Sequence, residues 1–325
     1  MKILFSADIH IKLGQKNVPV PWSVNRFNMF VEQFAKMQKE ADLVVIGGDV
    51  FDTLPSMDEV ELYFDLVASI IKPCIIYPGN HEMLKKNTTF LTFLKRATHR
   101  LNKLVRIVDE IDSTLLGGDI DIIPYNCLKD WSSNYQDYDF NGRILFTHVR
   151  GEIPPHVKPE VPLHLFDRWQ LVLAGDLHSY ENSQRNILYP GSPYTTSFHR
   201  QRVDTGAIIL DTDTLSHEWR KFKLPQLLKK TISADEAASA SATTFDHTVY
   251  EVQGDLQELG TLEDNTLIAK KVVSRSQDTQ LILDPKLTLA EEVREYLTFI
   301  LELPEDTIAE TLKEYYNYAD KIESN

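Results

Sequence analysis

The sequence predicts an α/β fold in four layers, with helices outside two stacked sheets (α-β-β-α), then a small α+β cap and a C-terminal helical hairpin. Three observations predict it. Five short apolar runs, in Lys2–Ser6, Leu43–Ile46, Cys74–Tyr77, Ile144–Phe146 and Leu171–Ala174, read as strands buried on both faces. Each run delivers Asp, His or Asn just past its end: Asp8 and His10, Asp49, Asn80 and His81, His148, then Asp176 and His178. That is the sheet edge where open α/β folds bind ligands. The first three runs alternate with amphipathic helical segments, the βαβαβ rhythm of a largely parallel sheet covered by helices.

After the first strand, Lys12–Trp22 reads as a loop, with Pro19 and Pro21 breaking any helix. Ser23 is placed to cap a helix running to about Lys39, with Val24, Phe27, Val31 and Phe34 on one face. Gly47-Gly48 ends the second strand in a tight turn before Asp49. Asp58 is placed to cap the next helix, whose Tyr63, Leu66, Val67 and Ile70 face inward until Pro73 stops it. Thr88–Leu101 is a third helix, and short strands near Val105, Thr114, Ile120, Ile144, Val172, Ile187, Ile208 and Trp219 supply a second sheet.

Pro225 marks the expected boundary of a core domain over 1–224. Residues 225–286 form a small second domain: Ser233–Thr244 is an Ala/Ser-rich linker or weak helix, and Thr248–Val252, Leu256–Leu262 and Leu267–Val273 give strand, helix, strand. The last segment, 287–325, is two helices separated by Leu303-Pro304, with Glu305-Asp306 at the positive end of the second. Leu289, Val293, Tyr296, Leu297 and Ile300 share one apolar face, and Ile308, Leu312, Tyr315, Ala319 and Ile322 another. Such a hairpin either packs on its own domain or docks a partner.

At 325 residues, 42% hydrophobic and 25% charged, the chain suits one large domain and a smaller one. Its two cysteines build no disulfide framework. Asp8 and His10 interrupt any signal peptide, and no run approaches the ~20 apolar residues of a membrane span. The expected location is the cytoplasm, or the host cytoplasm if the chain is phage-encoded. Net charge is −14, and 20 acidic against 9 basic residues beyond 225 account for most of it, which leaves the first 225 near balance. A nucleic-acid substrate is therefore not excluded.

Asp, His and Asn are oxygen and imidazole ligands of divalent metals, and five strand ends delivering them to one edge define a candidate metal centre. In order, Asp8-x-His10, Gly48-Asp49-x-x-Asp52, Gly79-Asn80-His81-Glu82, His148 and Gly175-x-x-His178 resemble the calcineurin-like metallophosphoesterases motif by motif. Gly48-Asp-Val-Phe-Asp-Thr53 is similar to SbcD, the nuclease subunit of SbcCD, and to its archaeal, eukaryotic and phage counterparts; phosphatases of the superfamily carry Arg-Gly where this chain has Thr53-Leu54. The likeness covers about 1–224 and is one of layout beyond.

The resemblance implies two dications bridged by Asp49, with Asp8, His10 and His178 completing the first set and Asn80, His148 and Asp176 the second. This ligation suits two Mn2+, and admits Mg2+. His81 is the implied general acid and Asp52 the partner that orients its imidazole. The family carries Gly-His-x-His in its last motif, where this chain has Gly175-Asp176-Leu177-His178, so one imidazole is exchanged for a carboxylate. Lys12, Lys16, Lys85, Lys86, Arg150, Arg200 and Arg202 follow ligand segments and are candidates for DNA-backbone contacts without sequence reading. Implied partners are DNA, an SMC-like coiled-coil ABC ATPase of the SbcC type bound by the C-terminal helices, and a second copy of the chain. The implied reaction is exonuclease action on duplex ends and endonuclease action on single strands or hairpins in DNA recombination, repair or replication. The alternative is a small-molecule phosphomonoesterase or phosphodiesterase on the same metals.

Overall fold

The computed structural model describes residues 1–85, 88–237, 240, 245–262, 265–273, 287–301 and 303–323. In chain order the first elements are β1 (Lys2–Ser6), α1 (Val20–Gln38), β2 (Leu43–Gly47), α2 (Met57–Ala68), β3 (Cys74–Tyr77), α3 (Phe90–Leu101) and β4 (Val105–Ile107). Then come β5 (Asp112–Leu115), β6 (Ile120–Ile123), α4 (Tyr125–Ser133), β7 (Ile144–His148), β8 (Leu171–Gly175), β9 (Ile187–Leu188), β10 (Gly206–Asp211) and β11 (His217–Lys221). They make two sheets, ordered β11-β10-β1-β2-β3-β4 and β5-β6-β7-β8-β9. β1 to β4 run parallel, as do β6 to β9, while β10 and β11 join the first sheet antiparallel.

The period-two alternation of each strand sorts its side chains between layers. Leu4, Val44, Ile46 and Ile76 meet Phe27, Phe30, Phe34, Tyr63, Leu66, Leu91 and Leu94 of α1, α2 and α3. Their neighbours Ile3, Phe5, Val45, Ile75 and Tyr77 point the other way, onto Ile120, Ile122, Ile144, Phe146 and Leu173 of the second sheet. The far side of that sheet, through Leu145, Val172 and Ala174, is covered by Leu128, Trp131, Phe166 and Trp169. Four layers result, as the sequence predicts, but the strands at Val105, Ile208 and Trp219, expected in the second sheet, extend the first as β4, β10 and β11, because they pair with β3, β1 and β10. The Phe5 and Phe146 rings meet edge to face at 5.3 Å in the middle layer.

Two helix starts differ from expectation. α1 begins at Val20, not after Ser23, because Pro19 sits at its N-cap and Pro21 within its first turn. Proline has no amide to lose there and its fixed φ suits the entry, so these residues start the helix. α2 is capped by Ser56 in a reciprocal box with Glu59, and Asp58 lies inside the first turn. Glu59 also accepts from the Leu13 amide at 2.7 Å, which ties the loop after β1 to α2.

Beyond β11, β12 (Leu227–Ser233), α5 (Ala234–Ala237), β13 (His247–Gly254), α6 (Leu256–Thr261) and β14 (Ile268–Val273) follow, with the strands in a third sheet ordered β12-β13-β14. The first compact unit runs through Met1–Ile232, past the expected boundary at 224, and takes in parts of β13 and β14. The physical reason is local: the Leu227 amide donates to buried Thr195 Oγ1 at 2.8 Å and Leu227 itself is fully buried. The second unit gathers α5, α6 and two terminal helices, α7 (Leu289–Glu295, continued by a π-helical turn Tyr296–Ile300) and α8 (Glu305–Glu323). Leu297, Ile308 and Leu312 form that hairpin's core with Val293 and Leu303. The sequence stretch 274–286 and the side chains of Ala319 and Ile322 lie outside the described residues.

The middle layer gives a stability test. Phe146→Ala should cost about 3–5 kcal/mol, read by urea unfolding of the metal-free protein, since the ring is fully buried between sheets. A loss under about 1 kcal/mol would mean that the sheets do not pack through this ring.

Candidate metal centre

The first two ligand-bearing strand ends converge because their main chains are laced together, and the ends of β3 and β7 are tied to them through side chains of Glu82, Asp49 and His148. The Asp8 amide donates to Gly48 O at 3.1 Å, and the His10 and Ile11 amides donate to Asp49 O and Val50 O at 2.9 and 2.8 Å. Glycines make the approach possible. A Cβ on Gly48, whose φ is +86°, would stand 2.5 Å from His148 Nδ1; one on Gly79 would stand 2.2 Å from Asp49 Oδ1. Asp8, His10, Asp49 and Asp176 all hold positive φ, at 57°, 49°, 49° and 102°. Left-handed backbone at non-glycine residues costs of order 1–3 kcal/mol each, and here it is concentrated at the residues the sequence singles out.

Three overlapping groups of possible ligand atoms follow: Asp8, His10 and His178; His10, Asp49 and His81; and Asp8, Asp49 and His148, each with atoms within 4.8 Å of one another. The contacts among them ask for cations. His10 Nε2 and His178 Nε2 face each other at 3.1 Å, while His10 Nδ1 is turned to the Asp52 carboxylate at 3.5 Å. His148 Nδ1 donates to Gly47 O at 2.9 Å, so Nε2 is the lone-pair atom of the neutral ring. Yet Nε2 points at two acceptors, Asn80 Oδ1 at 2.9 Å and Asp49 Oδ2 at 3.4 Å. A lone pair facing acceptors is reconciled only by a proton or a cation between them. The donors therefore fit divalent ions, and Asp49, 2% exposed, is shared by two of the groups.

Without metal, protons do this work. Burial pulls the His148 imidazole down, but the charge and hydrogen bond of Asp49, then Asp8, overcome it and raise its pKa well above normal. Burial raises the Asp8 carboxyl, while His148 opposes the rise. For Asp49, burial acts upward but is outweighed by His148, His10 and His81, which hold it well below the usual carboxylate range. Burial and the neighbouring His10 lower His178 to about 4, so it is neutral and ready to ligate at neutral pH.

His81 lies at the rim, with its amide on Asp49 Oδ1 at 2.9 Å and its Nδ1 on the main-chain carbonyl of Asp52 at 2.5 Å. Its Nε2 stands 3.9 Å from Asp49 Oδ2. The Asp52 carboxylate is turned elsewhere, to Lys12 Nζ at 2.6 Å and His10 Nδ1 at 3.5 Å. Asp52 thus meets His81 through its carbonyl, not through the side chain that the family resemblance implies. The sequence gives no role to Glu82, which is buried and accepts from the amides of Asp49, Phe51 and Gly79 at 3.0, 2.9 and 2.8 Å. A carboxylate in an otherwise polar turn carries no visible mark of burial.

Asp176 belongs to none of the three groups among the described residues. Its carboxylate pairs with Arg150 Nε and Nη2 at 3.1 and 3.2 Å. Several predicted DNA-backbone contacts are likewise engaged within the chain: Lys12 with Asp52, Arg150 with Asp176, Arg200 with Glu251 at 2.9 Å, and Arg202 with Asp246. Lys16 and Lys85 are exposed, and Lys86 lies outside the described residues.

Comparison with known proteins agrees with this geometry. Residues 1–180 match the family model described as calcineurin-like phosphoesterase. A relative named "Probable exonuclease subunit 1", from Escherichia phage T5, is 42% identical over 297 residues, 87% of this chain and 88% of the relative. A relative named "Putative phosphoesterase 078R", from Invertebrate iridescent virus 3, is 24% identical over 261 residues, 73% of this chain and 71% of the relative. With its strand-end motifs gathered into one ligand cluster, the chain belongs to the calcineurin-like phosphoesterases, metal-dependent hydrolases of phosphate esters.

Proposed function

We propose that the chain is the nuclease subunit of an SbcCD-like complex, cleaving DNA phosphodiesters with two Mn2+, or Mg2+ in their place. The observation that carries this reading is the Asp/His cluster in a chain 42% identical to a phage exonuclease subunit over 87% of its length. Asp8, His10 and His178 would hold the first ion and Asn80 and His148 the second, with Asp49 available to both. The ions, when bound, supply an activated water and charge for the phosphoryl oxygens. The remaining work is the protein's. The Asp52 carbonyl fixes the His81 Nδ1–H, which leaves Nε2 as the proton-exchanging atom beside Asp49. In that position Nε2 gives its proton to the leaving oxygen. Lys16 and Lys85 are exposed cations available to the DNA backbone.

Exonuclease action on duplex ends, endonuclease action on single strands and hairpins, and a role in recombination, repair or replication in the host cytoplasm complete the reading. Incubation with Mn2+ should degrade labelled duplex DNA far faster than p-nitrophenyl phosphate esters, and EDTA should stop it. The reverse preference would favour the small-molecule phosphoesterase.

His81→Ala should keep both metals and DNA binding while losing about 10²–10⁴ in turnover, the usual worth of a positioned acid. Asp49→Ala should lose the metals themselves. Metal content measured beside rate separates the two roles; parallel losses in both variants would remove His81 as the acid.

The hairpin is the proposed docking element for the coiled coil of an SbcC-like ATPase. Leu289, Tyr296, Phe299, Leu301 and Tyr316 are exposed apolar side chains on it. Deleting 288–325 should leave a folded, metal-loaded protein that no longer co-purifies with the ATPase. Aggregation or metal loss on deletion would assign the helices to the core.

A further inference from the structure

We propose that Arg150 is a positioning residue of the metal centre: it holds Asp176 off the second ion, which Asp49, Asn80 and His148 then bind alone. This rests on the two-ion reading above. The Asp176 amide donates to both oxygens of Asp8, at 3.0 and 3.2 Å, so the residue is anchored by its main chain at the edge of the first ion's ligands. Its φ of +102° fixes the side-chain departure, and the carboxylate leaves towards Arg150. Guanidinium and carboxylate meet fork to fork, the geometry in which an ion pair is strongest and most directional. The Asp176 side chain is only 6% exposed, so little water competes for it. The Arg150 amide is itself held by Glu160 Oε1 at 3.2 Å, which places the guanidinium's stem.

Charge gives the arrangement a purpose. Three carboxylates with an ionised water would cancel two dications and leave nothing to attract a phosphodiester. Neutralising Asp176 with Arg150 removes one negative charge from the centre while its place in the chain stays filled. The cost falls on the second ion, which has one protein donor fewer than the family's usual set and is the more weakly held.

Mn2+ titration of the full chain by calorimetry, with no substrate present, tests this. Asp176→Asn should still bind two ions, each within about threefold of the parent affinity. Arg150→Gln should free Asp176 to ligate and tighten the weaker ion by about tenfold, the lower end of what outer partners of metal ligands contribute. In the double variant the tightening should vanish. Loss of the weaker ion in Asp176→Asn would make Asp176 a ligand and overturn the proposal, as would unchanged affinities in Arg150→Gln. Because no turnover is read, failure of the nuclease assay and failure of this inference remain separate results.

Discussion

The catalytic edge depends on one buried carboxylate. Glu82 collects the amides of Asp49, Phe51 and Gly79, and so binds the turn after β2 to the turn after β3. Burial, then the Asp49 charge, pushes its carboxyl up to about 7, while the Phe51 and Gly79 amides pull the other way. A buried carboxyl of this kind is tolerated only where hydrogen bonds satisfy it, and main-chain donors also fix direction. Asp49 and Asn80 stand on the two segments so joined. Their separation is therefore set by a residue outside the proposed ligand set.

Much of the fold is legible in the sequence because its signals are local. Apolar runs with alternating partners specify strands sorted between three cores, and the Asp, His and Asn residues past their ends need no long-range information to be recognised. What is not legible is pairing. That Asp52 turns to His10 and Lys12, and Asp176 to Arg150, depends on which loops arrive beside one another after the sheets stack. Burial of Glu82 has the same origin. The start of α1 was open to misreading for a different reason: proline forbids a helix interior but favours a helix entry, and only the register of the following apolar face separates the two.

Electrostatics follows the same division. A count of −14 describes the whole chain, yet the edge is governed by a few short-range encounters. Lys12, Arg150, Arg200 and Arg202 each spend their charge on an internal carboxylate, so cations next to the ligand motifs are not thereby available to a polyanion. In the proposed nuclease, steering of substrate to the site would fall to the bound ions and to exposed lysines such as Lys16 and Lys85.

The proposed ligands come from both sheets: Asp8, His10, Asp49 and Asn80 from the first, His148 and His178 from the second. Between the sheets lie the Phe5–Phe146 contact and the Tyr77 hydroxyl, which donates to Thr147 O at 2.8 Å. Metal ions held across that seam would act as rivets, and coordination bonds tolerate errors of only about 0.2 Å. The hydrophobic filling of the seam is in this sense a ruler. Any repacking that slid one sheet against the other would detune the ligand spacing before it unfolded the protein, so selection on catalysis reaches residues that no substrate ever meets.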